Sequence, residues 1–511
     1  MNSQFIKKSI TAFAVISLII LLVTSCKRYL DNAPQGELTD AVIGTDPNAA
    51  VNLTNGVYNS LWLGDAFGGP DVHSLSYIIL TNVASDDADK GSSPTDYGPA
   101  LEVDNFTLSA NNSIVNGIWR GYYQAIARTN QALTYLPTSP LNDASKNRLI
   151  GEVKFIRAYL YFNLVRFFGG VPKIDRVPSP QEANSAEFQT RASKDSIYRF
   201  IIDDLQFGVN NLPVKGQTAV GKATKGAAQS LLAKVYLYQK KWQEAYDLTN
   251  SVISGQSGQY DLLPQYENIW RQVGANSIES IFEVQTGKNA SCDAAINVYS
   301  VSQGPRAGGK RGWQDLGFGF NNPSLSLANA YEPNDKRKNG TIIFINPSPQ
   351  GTVLWDGFRV PSQDSVENSR YNYKSYHSRT LEDNCGNNDK LPKNLRILRF
   401  GEVLLLNAEA ANELGKTNEA QASLNKIRQR AGLGNITGLS QAALRDTIWH
   451  ERRVELAMEH DRFFDIVRQG KAGQILRAQG KSFVDGKNEL FPIPQPQIDL
   501  SNGNLKQNPG Y

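Results

Sequence analysis

Two stretches far apart in this chain share one internal spacing. Ala233 and Ala245 stand 12 residues apart, and so do Ala408 and Ala420; seven further on come Val252 and Ile427. Each set lies in a helical pattern broken at its middle, over 222–255 and 396–431. Small residues at that separation let the two helices of an antiparallel hairpin approach closely, which is the spacing of tetratricopeptide units. Two generic helical hairpins with coincident alanines are the alternative. A third, more divergent unit is suggested by 118–136 with 157–168. The copies are separated in sequence, so the repeat is interrupted rather than tandem.

Helical periodicity also predicts elements over 46–63, 114–136, 143–168 and 193–210. The element over 143–168 stops at Gly169-Gly170-Val171-Pro172, a strong terminator. Residues 64–112 read as irregular, punctuated by Gly68-Gly69-Pro70 and Gly91-Ser92-Ser93-Pro94. Residues 286–393 are rich in Gly, Asn, Ser and Pro. A loop region of that length is functional or disordered, and its aromatics, among them Tyr299, Trp313 and Trp355, argue against disorder.

The beginning of the chain reads as an export signal. Lys7 and Lys8 precede an apolar run over 10–23 that is too short to span a bilayer, and Leu22-Val23-Thr24-Ser25-Cys26 has the form of a lipobox. Residues 1–25 are therefore expected to be removed and Cys26 lipidated, with 26–44 as a polar tether. The formal net charge is +4, and the two leader lysines supply half of it. Such a balance gives no footprint for nucleic acid. Export permits a disulfide between Cys292 and Cys385, but sequence supplies no separation for them, and their pairing stays open.

Catalytic motifs are missing. His450-Glu451 is followed by Arg452-Arg453, not by the residues of a zinc-binding helix; Gly317-Phe318-Gly319 lacks the third glycine of a dinucleotide loop. Asp87-Ala88-Asp89-Lys90-Gly91 hints at calcium, but its glycine comes one place early, so it reads as a solvated acidic loop with no metal. No carboxylate pair is singled out for glycoside hydrolysis. The charged run 451–468 reads as ion pairing along one helix.

In order along the chain stand Tyr29-Leu30-Asp31, Asn55-Gly56-Val57-Tyr58-Asn59, Ile118-Trp119, Tyr122-Tyr123, Arg157-Ala158-Tyr159, Leu231-Leu232-Ala233-Lys234-Val235-Tyr236-Leu237, Arg399-Phe400, Leu424-Asn425-Lys426-Ile427-Arg428, Glu451-Arg452-Arg453 and Gln507-Asn508-Pro509-Gly510-Tyr511. Together these resemble the SusD/RagB-like outer-membrane lipoproteins of Bacteroidota. One departure is His460, where the family usually has Gly.

The resemblance implies a mainly α fold, with about four tetratricopeptide-like helix pairs supporting a loop-rich binding region and a few short strands. It implies a single domain over 45–511, with an N-terminal part over about 45–220 and a repeat-containing part over about 221–511 that carries the insertion 286–393. It also implies a non-enzymatic, cofactor-free protein on the outer face of the outer membrane, held by its lipid. Such a protein captures oligosaccharides and passes them to a SusC-like TonB-dependent transporter. A tetratricopeptide scaffold with protein partners only, a surface binder of peptides and a glycoside hydrolase are the rivals.

Forty-nine Tyr, Phe and Trp residues serve either as sugar platforms or as core. A glycan offers a flat C–H face for rings and hydroxyls for Asn, Asp and Arg. Loops held by a rigid scaffold are where such groups belong. The candidates are Asp71, Asn82, Tyr97, Tyr299, Arg306, Trp313 and Trp355, with Trp313 first because it stands in a polar, glycine-rich loop.

Overall fold

The computed structural model describes residues 44–308, 316–347 and 349–511. The leader, Cys26 and its tether lie outside them, except for the tether's last residue, and so does Trp313. Ten helices carry the architecture: α1 (Pro47–Asn59), α2 (Ser113–Tyr135), α3 (Asp143–Phe168), α4 (Lys194–Asn211), α5 (Lys225–Tyr238), α6 (Trp242–Ile253), α7 (Phe400–Glu413), α8 (Thr417–Ala431), α9 (Gln441–Glu455) and α10 (Arg462–Arg468). Their starts are chemically specified. Asp46, Asn112, Asn142, Ser193, Thr224 and Ser440 each accept a hydrogen bond from a first-turn backbone N–H. α3 ends on Gly169, whose φ of +74° suits glycine.

Helices α2 to α8 pack in series, each against the next, and α9 closes on α7 and α8. The interrupted repeat is thereby continuous in space, because α6 lies directly on α7. Ala233, Ala245, Ala408 and Ala420 are all fully buried at these contacts. Arg157 fastens α3 to its neighbours: it donates to Asp204 on α4 at 2.7 and 2.9 Å and to Asn130 on α2 at 2.8 Å. The C-terminal motif has a similar duty, with Asn508 Nδ2 donating to the carbonyls of Phe168 and Phe491.

The described residues hold eight short strands: β1 (Ala88–Gly91), β2 (Ser280–Val284), β3 (Phe320–Pro323), β4 (Ile342–Phe344), β5 (Thr352–Val353), β6 (Arg359–Val360), β7 (Arg370–Asn372) and β8 (Leu395–Arg399). All pair antiparallel, as β1–β3, β2–β8, β4–β7 and β5–β6. The loop region leaves the helical layer from β2 and returns through β8, which runs straight into α7. A bond between Cys292 and Cys385, with a Cα separation of 5.7 Å, closes this region near its base.

The charged run behaves differently from the expectation. Only Arg468–Asp465 pairs within one helix; Arg452 on α9 reaches Asp465 on α10 at 2.7 Å, and most other partners come from across the fold. Glu455 accepts from Arg399 at 2.5 Å, Arg337 at 3.1 Å and Arg430. Arg399 also reaches Glu279 and Glu459, and Lys374 donates to Glu459. Arg337 and Lys374 belong to the loop region and Arg430 to α8, so the network rivets the two layers together. Its charged side chains are all at most 9% exposed, and burial of charge demands such pairing.

Residues 64–112 also differ from the irregular reading. Helical turns span Leu75–Ile78 and Ile79–Val83, and a helix spans Gly98–Asp104. Asp87, expected in a solvated loop, and its neighbour Asp86 are buried against Arg453 and Arg462, each at 2.7 Å. Their carboxylates are neutralised by cations some 370 positions away in sequence, which local pattern does not reveal. No group of side chains among the described residues is arranged to hold a metal. No described helix is long and apolar enough to cross a membrane.

Candidate functional site

Among the described residues, Phe67 and Trp355 are the aromatic side chains standing clearest of the surface, 58% and 40% exposed. Exposed rings of this size cost hydrophobic free energy unless something covers them.

Phe67 belongs to a small aromatic platform. Tyr97 meets its ring edge-on at 5.2 Å, and Phe318 lies near-parallel at 6.5 Å. Tyr97 is backed edge-on by Phe320 at 6.3 Å. The local backbone explains the presentation. Tyr97 has φ +45°, a sparsely populated conformation for a non-glycine residue. It is held there by Lys90, whose Nζ donates to the carbonyls of Ser93 at 2.8 Å and Asp96 at 3.0 Å. Burial pushes the Tyr97 hydroxyl up to about 12, so it stays protonated. Where β1 meets β3, a Cβ on Gly91 would lie 2.4 Å from the Gly319 carbonyl, so only glycine lets the two segments close. Beside the rings, Arg306 pairs with Asp96, and Ser92 Oγ donates to Asp96 at 2.7 Å. The platform therefore offers apolar ring faces and a half-buried guanidinium–carboxylate pair side by side.

Trp355 forms a second arrangement. The Arg271 guanidinium lies 4.9 Å from its ring centre and 4.6 Å from that of Tyr373. The Trp355 backbone N–H donates to the Tyr373 hydroxyl at 2.7 Å. A cavity of about 610 Å³ opens elsewhere, beside α2. Its aromatic lining is committed to packing: Trp119 is buried, and the Tyr123 hydroxyl donates to the Pro172 carbonyl.

Residues 278–511 match the family model described as the SusD family, and residues 72–237 match one described as "Starch-binding associating with outer membrane". The chain belongs to the SusD/RagB-like family. "SusD-like protein P2" of Formosa agariphila is 29% identical, over 97% of this chain and 99% of that one. A "SusD-like protein" of Bacteroides ovatus is 26% identical, over 89% and 81%. Among solved structures, a "Laminarin binding SusD-like protein" superposes with a TM-score of 0.76 at 29% identity, covering 91% of this chain and all of its own. "Surface glycan-binding protein A from Bacteroides thetaiotaomicron in complex with laminarihexaose" shares the fold, with a TM-score of 0.73 at 24% identity over 91% and 99% of the two chains.

In this SusD-like chain the seven predicted binding residues separate. Tyr97 and Arg306 come together on the Phe67 platform. Trp355 stands apart with Arg271, and Trp313 lies outside the described residues. Asp71, Asn82 and Tyr299 are buried, with accessibilities of 0%, 2% and 8%. Asp71 accepts from the Ser74 and Ser76 backbone N–H groups at 2.6 and 2.8 Å. Burial nonetheless pushes its carboxyl up to about 7. Asn82 accepts from the His460 backbone at 3.0 Å, and the Tyr299 hydroxyl meets His460 Nε2 at 3.0 Å. Both residues thus secure the turn at His460, which has φ +74° where the family usually has glycine. These three are structural because their polar atoms are already engaged inside the protein.

Sequence reasoning missed Phe67, Phe318 and Arg271. For Phe67 a signal existed: a lone large aromatic between Gly64 and Gly68-Gly69, a segment with little else apolar to pack against it. No comparable signal marked Arg271.

Proposed function

We propose that this SusD-like chain is a cell-surface glycan-binding lipoprotein. It captures oligosaccharides and delivers them to a partner TonB-dependent outer-membrane transporter, without catalysis of its own. The observation that carries the reading is the solvent-open platform of Phe67, Tyr97 and Phe318 beside the Arg306–Asp96 pair. Ring faces cover the C–H surface of a sugar, while the ion pair offers donors and acceptors to its hydroxyls. The likeness to a laminarin-binding structure at 29% identity supports a glycan over a peptide. We assign Phe67, Tyr97, Phe318 and Arg306 to ligand contact, with Trp355 and Trp313 as further contacts. Cys26 carries the lipid.

Isothermal titration of the unlipidated protein with laminarihexaose and a panel of other oligosaccharides tests the reading. Saturable binding that weakens in Phe67→Ala is the expected result. Full affinity in that variant removes the platform, and no binding across the panel overturns glycan capture. For the anchor, Cys26→Ala should free the protein from the outer membrane; continued co-fractionation refutes lipid anchoring.

A further inference from the structure

A cleft of about 160 Å³ opens at the base of the loop region, and cations crowd its walls. Arg271, Lys288, Lys393 and Arg396 line it, with Asp383 as the acid on the lining itself. Glu382 and Glu283 stand behind. Glu382 is engaged by the Gln272 and Ser378 backbone N–H groups, and Glu283 accepts from Asn394 at 2.9 Å.

Two of the cations are incompletely satisfied. Arg271 is only 5% exposed, yet its Nη1 has no hydrogen-bond acceptor. Arg396 is 7% exposed, and its Nε comes no nearer than 3.6 Å to Glu283. Buried guanidinium N–H groups are normally paired, because leaving one dry forfeits its hydration. Both arginines line the cleft, and their unpaired N–H groups, shut off from solvent in this conformation, are spare donors for an oxygen acceptor bearing negative charge once a side chain shifts toward it.

We propose that this cleft binds the carboxylate or sulfate group of an acidic saccharide. A saccharide is favoured over a bare anion because the Arg271 guanidinium that lines the cleft also stacks on Trp355, a partly exposed ring. A sugar ring on Trp355 would present its acidic substituent to Arg271. The cleft's walls are held in register by covalent and polar ties. The Cys292–Cys385 bond joins the loops following Lys288 and Asp383. Gln272 Nε2 donates to Asp383 at 2.6 Å, and the Thr286 backbone donates to Asn394 at 2.8 Å. The inference deepens the glycan reading by naming a ligand class, but it rests on different residues.

Lys393 gives the cleft a pH signature. Its Nζ donates to the carbonyls of Trp270 and Tyr376. Burial lowers its pKa to about 7; Glu382 and Glu283 oppose the shift, and Arg396 and Arg271 reinforce it. Burial, and then Lys393, lower the pKa of His377, also on the cleft, against the pull of Glu382 at 3.4 Å. An arriving anion favours the charged lysine, so affinity should be higher at about pH 6 than at about pH 8.5.

Titrate the full unlipidated protein with methyl glucuronide, sodium sulfate and neutral laminarihexaose. The expected result is saturable glucuronide binding, tighter than sulfate, that weakens about tenfold in Arg271→Gln and several-fold in Lys288→Glu. Lys288 is exposed, so its variant keeps the fold and the test stands even if Arg271→Gln misfolds. No glucuronide binding at about pH 6, sulfate binding as tight as glucuronide, or full affinity in Lys288→Glu overturns the proposal. Laminarihexaose binding without glucuronide binding sinks this site and spares the platform; the reverse sinks the platform and spares this site.

Discussion

Replacing Glu455 with Gln should loosen the loop region from the helical layer. Glu455 is fully buried and receives Arg399, Arg337 and Arg430. Burial alone would raise its pKa, but the three guanidinium groups outweigh that and hold the carboxyl far below its usual range. Removing one partner from a buried ion pair costs about 3–5 kcal/mol. Each arginine here keeps another carboxylate: Glu279 and Glu459 for Arg399, Asp335 and Glu451 for Arg337, Glu279 for Arg430. The loss should therefore sit near the lower bound, about 3 kcal/mol. At ~2.1 cal/mol/K per residue, a chain of this length has an unfolding entropy near 1 kcal/mol/K, so the Tm should fall by about 3 °C. Urea unfolding followed by tryptophan fluorescence gives the free energy. The control is Glu332→Gln, which removes a 41% exposed partner of Arg428 and should cost under ~1 kcal/mol. Equal losses in the two variants, or a loss below ~1 kcal/mol for Glu455→Gln, refute the idea that this network joins the layers.

Three further expectations follow from the same structure. Phe67→Ala should weaken oligosaccharide binding about 5–10-fold, the worth of one aromatic contact, with the Tm unchanged; calorimetry and thermal melts check both halves. Cys385→Ser opens a link spanning 93 residues of sequence and should cost about 2–4 kcal/mol in denaturant unfolding under oxidising conditions. Burial depresses the pKa of His460 to about 3 and of His73 to about 4. Groups lowered in the folded state contribute full stability above their unfolded value near 6.5, and that stability drains away as pH falls below it. His460→Gly should therefore show a shallower Tm loss between about pH 6.5 and pH 4, at the cost of its contacts with Thr81 and Tyr299 at neutral pH.

The helical layer was legible because its information is local. Period 3.6 and cap residues act within a turn or two, the alanine spacing within a single hairpin, and α3 falls where the sequence reading placed it, over 143–168. The binding residues were less so. Asp71, Asn82 and Tyr299 fall in segments that Gly, Pro, Ser and Asn punctuate, although Asn82 closely follows the apolar run Ile78-Ile79-Leu80, a local sign of burial. They are buried because the polar atoms around them find distant partners: Lys481 donates to the carbonyls of Val83 and Ser85, and Arg453 and Arg462 neutralise Asp87 and Asp86. Nothing near residue 80 encodes those partners. The same long reach hid Arg271, whose importance lies in what it fails to bond.

The pairing of β2 with β8 places both ends of a long excursion side by side. Adjacent strands run about 5 Å apart, so the layer beneath experiences only a fixed pair of neighbouring sockets, whatever is plugged into them. Lengthening the plug adds little closure entropy, about 0.6 kcal/mol for each doubling. One chassis can thus accept heads of very different size and ligand preference. The requirement is that each head bring its own counterparts of Arg337 and Lys374 to meet the acidic groups waiting on α9 and just beyond it.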